Sequence, residues 1–103
     1  MDKKKRVYIS GRMSGLSQSE YQANFARAEM KMKAEGYVVF NPALWSTMYS
    51  FLTYDEYLKL DLTALEFCDA IYMQSGFKKS RGAMVELERA KELNLQIIYE
   101  SEV

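Results

Sequence analysis

Apolar residues recur along this chain in four short runs that alternate with longer segments of helical periodicity. The runs occupy residues 6–10, 37–40, 69–73 and 96–99, and Val, Ile and Tyr dominate them. Short runs of β-branched and aromatic residues that end at Gly, Asn or Pro are typical of buried strands. The pattern therefore predicts four strands with helices between them.

The segment between the first two runs has the features of a helix. Ser17 and Glu20 form a Ser-x-x-Glu capping box, and Gly36 is a typical residue just past a helix end. The apolar face between them consists of Tyr21, Phe25, Ala28 and Met32. Residues 41–52 are predicted to be a loop with bulky side chains, and the next helix is expected to begin near Thr53.

The alternation of strands and helices predicts right-handed crossovers and a parallel sheet covered on both faces. We expect one α/β domain over residues 1–103, a flavodoxin-like or Rossmann-like three-layer fold with strand order 2-1-3-4. Ligands of such sheets bind beyond the carboxyl ends of the strands, where the strand order reverses. Residues 10–16, 41–52 and 74–82 should meet at that point, between the first and third strands.

Two acidic residues fall on the apolar stripes of predicted helices. At about 100° per residue, Asp61 shares the stripe of Tyr57, Ala64, Leu65 and Cys68. By the same angle, Glu86 lies among Ala83, Leu87, Ala90 and Leu93. A carboxylate that faces the core is unfavourable unless a function requires it, so both acids are candidates for catalysis or binding. Alternatively, Glu86 could lie at the surface of a helix rotated by one position, or pair with Arg12 or Arg81. Asp61 could instead bond to a nearby backbone amide.

Two glycine-containing loops, residues 11–15 and 75–82, each lead into the start of a helix. Both offer free backbone N–H groups, hydroxyls and cations to the same cleft, which is how proteins hold phosphate. Ordinary glycine turns are the alternative interpretation. The spacing fits neither a Walker A loop nor a GxGxxG fingerprint, which counts against a nucleoside triphosphatase or a dinucleotide enzyme.

Aromatic residues could form flat walls suited to a nucleobase in this cleft. They could equally belong to the core or to a subunit interface. The candidates are the aromatic residues Trp45, Tyr49, Phe51 and Phe77, together with Met48. Tyr8, on the first strand, could present its hydroxyl to Glu86, or could be a buried sheet tyrosine with no such role.

Composition excludes several classes of function. The 14 basic and 14 acidic residues cancel, so we expect no binding to polymeric nucleic acid or to an anionic membrane. The chain has no apolar stretch of membrane-spanning length, and we expect it in the cytoplasm. With Cys68 as its one cysteine and no histidine, it cannot build an internal disulfide, a Cys/His zinc site or a Ser-His-Asp triad. An aromatic content of 14% in so small a chain predicts a homo-oligomer, a dimer or larger.

Motifs spread over nearly the whole chain carry a resemblance to a known family. The most specific are Gly82-x-x-x-Glu86 and Asp61, which lies eight residues before Asp69. Further motifs lie in residues 7–15, 24–25, 36–43, 60–70 and 80–86. They resemble the nucleoside 2-deoxyribosyltransferase-like superfamily and, within it, the small proteins grouped as domain of unknown function 4406, often found in phages and prophages.

The resemblance implies an enzyme that cleaves or transfers the N-glycosidic bond of a deoxyribonucleoside or its 5′-monophosphate. It implies that Glu86 attacks or stabilises the anomeric carbon, that Tyr8 steadies Glu86 and that Asp61 handles the proton of the departing base. This agrees with the chemistry, because such cleavage passes through an oxocarbenium-like state that one carboxylate can trap while a second acid protonates the leaving group. No metal or organic cofactor is implied.

Ser80, six residues before Glu86, resembles the serine that touches phosphate in the nucleoside 5′-monophosphate N-hydrolases of the superfamily, whereas the transferases have an acid there. Arg12, Ser14, Ser80 and Gly82 are expected around the phosphate, with the base against residues 44–52 and Phe77. The full set of expected substrate contacts is Ser10, Gly11, Arg12, Ser14, Gly15, Asn41, Phe77, Ser80 and Gly82.

Two other functions remain open from the sequence. One is a protein that binds a nucleotide or nucleotide-derived signal without turnover, and the other is a phage protein that acts only through protein contacts. The expected partner is a small nucleoside or nucleotide, and the expected compartment is the cytoplasm, that of the host if a phage encodes the chain.

Overall fold

The computed structural model describes residues 3–101, and its core is one sheet of parallel strands. The strands are Arg6–Ser10 (β1), Val38–Phe40 (β2), Ala70–Met73 (β3) and Gln96–Tyr99 (β4). Their order is β2-β1-β3-β4, and each neighbouring pair is parallel. The predicted strands and their order are confirmed.

Helices connect the strands, as the periodicity predicted. They are Gln18–Ala34 (α1), Ala43–Met48 (α2), Tyr54–Leu65 (α3) and Arg81–Glu92 (α4), with a short 3-10 helix at Phe77–Lys79. Side-chain caps fix where the long helices begin. Ser17 accepts from the Glu20 amide at 3.2 Å, and Thr53 forms a reciprocal capping box with Glu56.

The prediction of a loop over residues 41–52 is wrong in part, because α2 lies within it. The Asn41 side-chain oxygen accepts from the Ala43 amide at 3.0 Å and begins the helix. Gln22 of α1 then donates to the Ala43 carbonyl at 2.9 Å. A helix of six residues is held by such neighbours rather than by its own propensity, which is why periodicity did not reveal it.

The sheet is covered on both faces, so the three-layer prediction is confirmed. Alternate residues of β1 point to opposite sides. Val7 and Ile9 pack with Phe25 and Met32 of α1. Tyr8 packs on the other side against α3 and α4, where Leu65, Ala83 and Leu87 are buried.

The carboxyl ends of β1 and β3 lie side by side at the point where the strand order reverses. Ser10 pairs with Met73, and the Gln74 amide donates to the Ser10 carbonyl at 3.0 Å. A Cβ at Gly11 would lie 2.4 Å from Nε2 of Gln74, so a larger residue there would force the Gln74 side chain to move. Within residues 3–101, no helix is both long enough and apolar enough to cross a bilayer.

Candidate active site

A cleft of about 310 Å³ opens beyond the carboxyl ends of β1 and β3. Its size lies at the lower end of the range for small-molecule sites. Its aromatic walls are Tyr21, Phe25, Trp45, Tyr54 and Tyr57. Its polar groups are Ser14, Ser46, Ser80, Asp61 and Glu86. The predicted switch point therefore holds a cavity with two carboxyl groups.

Glu86 lies on the floor of this cleft, with 6% of its surface exposed. The Tyr8 hydroxyl donates to its Oε2 at 2.8 Å, and the Ser10 hydroxyl donates to its Oε1 at 2.6 Å. Residues 8 and 10 face the same side of the sheet because a strand alternates with a period of two. One strand thus supplies a donor to each oxygen of the carboxyl group, and the side chain is fixed at both atoms.

Asp61 reaches the cleft from α3 and lies beside Glu86. The Trp45 indole N–H of α2 donates to its Oδ1 at 2.8 Å. Asp61 is close enough to Glu86 and to Tyr8 for these groups to influence one another's pKa values. The structure therefore brings Tyr8, Asp61 and Glu86 together. It places neither acid in an ion pair with Arg12 or Arg81.

Burial makes the two acids hold their protons more strongly than usual. Burial raises the pKa of Asp61 to about 6, against the hydrogen bond from Trp45, which lowers it. Burial raises the pKa of Glu86 to about 8, and the negative charge of Asp61 adds to the effect. Burial and the nearby acids also raise the pKa of Tyr8, so its hydroxyl stays protonated. Near neutral pH the pair of acids holds a single proton.

The loop after β3 brings Ser80 and Gly82 to the cleft at the start of α4. Ser80 caps this helix, and its hydroxyl accepts from the Ala83 amide at 3.1 Å. The Tyr54 hydroxyl lies 3.2 Å from the position a Cβ on Gly82 would take, so a side chain there would press on α3. Gly11 and Ser14, from the loop after β1, line the facing wall.

Arg12 and Gly15 shape the loop after β1 and do not line the cleft. The Arg12 Nε donates to the Ser14 carbonyl at 3.1 Å. Gly15 has φ +85°, and a Cβ there would lie 2.6 Å from an Arg12 guanidinium nitrogen. The expected direct contact of Arg12 with a phosphate therefore lacks support, since this side chain folds back on its own loop. Among the described residues, no Lys or Arg lines the cleft.

Three other expected substrate contacts lie elsewhere. Phe77 is buried and packs its ring 5.8 Å from that of Tyr99, because the 3-10 helix turns it into the core. The Asn41 side chain is already hydrogen-bonded at both ends. Its oxygen accepts from the Ala43 amide, and its nitrogen donates to Glu29 at 2.9 Å. Ser10 is fully buried behind Glu86 and contacts that residue rather than the cleft. Met48, Tyr49 and Phe51, named as possible walls, are exposed and outside the cleft.

The cleft also contains residues that the sequence did not identify as site residues. Tyr54, Tyr57 and Leu58 line it from the first turns of α3, and Met13 and Pro42 line it from the loops after β1 and β2. The i, i+3 and i+4 spacing of the α3 residues places them on one helix face, which is the available sequence signal. The angle at which α3 crosses the sheet decides which strand ends this face covers. The sequence does not specify that angle.

Among residues 3–101, no three acidic, cysteine or histidine side chains gather in a way that could hold a metal ion. The functional groups of the cleft are two carboxyl groups that share a proton and several hydroxyls, and the start of α4 lies beside them.

Comparison with known proteins places the chain in a family. The family model described as Domain of unknown function (DUF4406) matches residues 5–99, nearly the whole chain, so the protein belongs to that family. A comparison with curated proteins finds no significant match.

A solved structure shares the fold. The structure of the CMP N-glycosidase BcmB of Clostridium botulinum superposes with a TM-score of 0.64 and 23% sequence identity. The match covers 95% of this chain and 72% of that one. The protein therefore shares its fold with that structure.

Proposed function

We propose that this member of the DUF4406 family cleaves or transfers the N-glycosidic bond of a nucleoside or its 5′-monophosphate, with Glu86 as nucleophile and Asp61 as acid and base. One observation carries the proposal: a buried carboxyl group, held by hydroxyls at both oxygens, lies beside a second carboxyl group in a cleft of nucleoside size. The shared fold with a CMP N-glycosidase supports it.

The proposed reaction balances with the groups present. Glu86 attacks C1′ of the sugar, the C1′–N bond breaks, and the base leaves with the proton of Asp61. Water then attacks C1′, Asp61 takes one of its protons, and the free sugar or sugar phosphate departs as Glu86 is released. If a second base attacks in place of water, the same steps give transfer. No cofactor is required.

The shared proton suits this chemistry. The first step needs one ionised carboxylate and one protonated acid, and the pair holds one proton near neutral pH. Hydroxyl donors on both oxygens favour the ionised form of Glu86. In the resting protein the higher pKa belongs to Glu86, so the shared proton lies there at pH 7. Catalysis requires this proton to pass to Asp61, which is bonded to Trp45 at the aromatic wall where a base would lie.

The substrate orientation follows from the two ends of the cleft. We place the base against Trp45 and Tyr57, and the 5′ end against Ser14, Ser80 and Gly82 at the N-terminal turn of α4, where a helix start favours an anion. Since no cation lines the cleft, amides and hydroxyls would carry recognition of a phosphate. Arg12 contributes by holding the loop that contains Ser14.

The direct test is to incubate the protein with ribo- and deoxyribonucleosides and their 5′-monophosphates and to measure the released free base by chromatography. We expect turnover of at least one substrate by the wild type and none by Glu86→Ala. Glu88→Gln is a matched control, because Glu88 lies on the same helix with 68% of its side chain exposed. A second free base added to the reaction distinguishes transfer, which yields a new nucleoside, from hydrolysis. Equal rates for wild type and Glu86→Ala would end the catalytic proposal.

Nucleotide binding without turnover is the second candidate. The observation in its favour is that both Glu86 oxygens already accept hydroxyl hydrogen bonds, an arrangement that also suits a fixed recognition group. Calorimetry with the same ligands separates the two functions. Tight binding without product, little changed in Glu86→Gln, would identify a binding protein.

A further inference from the structure

The indole of Trp45 joins the two walls of the cleft. Trp45 lies on α2, a helix of six residues, while Asp61 lies on α3. The indole N–H donates to Asp61 Oδ1 at 2.8 Å, and the ring itself lines the cleft. The same ring lines a shallow apolar cavity on the outer side of α2 and α3. The side chain is therefore a partition between these two spaces, attached to α3 through Asp61.

We propose that Trp45 is a positioning residue for Asp61, fixing Oδ1 so that Oδ2 carries the proton to the departing base. The inference rests on the proposed function. An indole nitrogen only donates, so this bond cannot reverse when Asp61 gains or loses a proton. An oxygen that already accepts an N–H bond is the poorer site for a proton, which favours protonation of the other oxygen.

The bond also explains how a short helix can control the chemistry. Each end of α2 is held by α1: Gln22 donates to the Ala43 carbonyl, and the Tyr21 hydroxyl lies 3.1 Å from the Ser46 hydroxyl. Trp45 lies between these two contacts. A partly buried bond to a charged acceptor from a helix held in this way restricts the Asp61 carboxyl group to one rotation.

Other titratable groups face Asp61 and must be separated from the effect of Trp45. Glu86 approaches from α4 and Tyr8 from β1, while Tyr21 of α1 and Tyr57 of α3 line the same cleft. Trp45 contributes a donor that loses no proton in the accessible pH range. Its loss should therefore change the Asp61 carboxyl group without adding a new titration.

The kinetic test is Trp45→Phe, which keeps an aromatic wall and removes the N–H. We expect kcat to fall about 10- to 100-fold, as for loss of one hydrogen bond to a charged group, with KM changed less than threefold. The acidic limb of the pH–rate profile should move to higher pH, because the bond from Trp45 lowers the pKa of Asp61. Tyr49→Phe is the control, since it alters an exposed aromatic residue just after α2 that does not line the cleft. An unchanged kcat and an unmoved acidic limb in Trp45→Phe would overturn the inference.

A second measurement does not depend on turnover. Trp45 is the only tryptophan, so its emission reports this one site. We expect the emission of the resting protein to change with a midpoint near pH 6, where Asp61 titrates, and the change to vanish in Asp61→Asn. A pH-independent emission would show that Trp45 does not sense this carboxyl group. If no substrate is turned over but the emission titrates, the proposed enzyme fails while the Trp45–Asp61 contact stands as a feature of a binding site.

Discussion

Replacing Glu86 by Gln should make the protein more stable while removing its activity. Glutamine keeps the shape of the side chain but carries no charge. Tyr8 can still donate to the amide oxygen, and the Ser10 hydroxyl can turn to accept from the amide nitrogen, since a hydroxyl both donates and accepts. The substitution therefore preserves the hydrogen bonds and removes only the unfavourable free energy of burying an ionisable group.

The size of the gain follows from the pKa of Glu86. In the unfolded chain the group ionises near its ordinary pKa of 4.5, whereas burial raises the pKa to about 8 in the folded protein. The folded state thus holds a proton that the unfolded state has released at pH 7, and each pH unit above 4.5 favours unfolding by about 1.4 kcal/mol. This gives about 3 kcal/mol at pH 7 as an upper bound, because Asp61 shares the proton. We expect Glu86→Gln to gain about 1 to 3 kcal/mol, which raises Tm by about 4–8 °C for each kcal/mol.

The assay is thermal and urea unfolding, followed by circular dichroism at several pH values. The advantage of Glu86→Gln should be absent below pH 4.5, grow as pH rises and level off above pH 8, because the raised pKa sets that window. Glu88→Gln, at an exposed position, should stay within about 0.5 kcal/mol of wild type. Glu86→Ala should be less stable, because the buried hydroxyls of Tyr8 and Ser10 lose their partner. If Glu86→Gln is no more stable than wild type at pH 7, or if its advantage does not change with pH, the reasoning from burial is refuted.

The remaining predictions concern catalysis and assembly. The kcat/KM profile should be bell-shaped with limbs near pH 6 and pH 8, since both acids are protonated below the first and both are ionised above the second; a flat profile across this range would contradict the shared proton. Asp61→Asn should lower kcat/KM about 10²- to 10⁴-fold on a nucleotide whose base must be protonated to leave. The loss should be far smaller with a 7-methylguanine nucleotide, because that base leaves without a proton. Equal losses on the two substrates would argue against an acid role for Asp61. Tyr8→Phe should lower kcat about 10- to 100-fold and move the alkaline limb to higher pH, because the lost bond lowers the pKa of Glu86; an unmoved limb would show that the bond is only structural. We also propose a homo-oligomer through the exposed apolar residues Phe51 and Phe67, so Phe51→Glu with Phe67→Glu should lower the mass measured by sedimentation, and a wild-type monomer would disprove it.

The sequence predicted the sheet well because its strands are short apolar runs with clear ends. The four runs, the capping residues Ser17 and Thr53 and the strand order all match the structure. A local pattern predicts an element reliably when the signals for its start and for its buried face both lie within the element or directly beside it. The short helix α2 depends in addition on Gln22, which bonds to Ala43 from 21 residues earlier in the chain, a contact that no local pattern shows.

The site was predictable where residues depart from a pattern and less so where they follow one. Asp61 and Glu86 interrupt apolar stripes, and the structure brings them together. A phenylalanine such as Phe77 suits the wall of a cleft as well as the core. The 3-10 helix at Phe77–Lys79 buries its side chain in the core. Tyr54 and Tyr57 reach the cleft through the crossing of α3 over the sheet, a geometry with no local sequence signal.

The hydrogen bonds of Glu86 link the loop after β1 to the proposed nucleophile. Ser10 donates to Glu86, and the next residue, Gly11, already lines the cleft. A ligand that orders the loop after β1 would therefore also restrain the strand end that holds one oxygen of the carboxyl group. Tyr8, two residues earlier in the middle of the strand, holds the other oxygen whether or not the loop is ordered. Substrate binding would then act on the Ser10 bond and leave the Tyr8 bond unchanged, so Ser10→Ala should impair kcat more for a phosphorylated substrate than for the corresponding nucleoside. Equal losses on the two substrates would show that the loop and the nucleophile are independent.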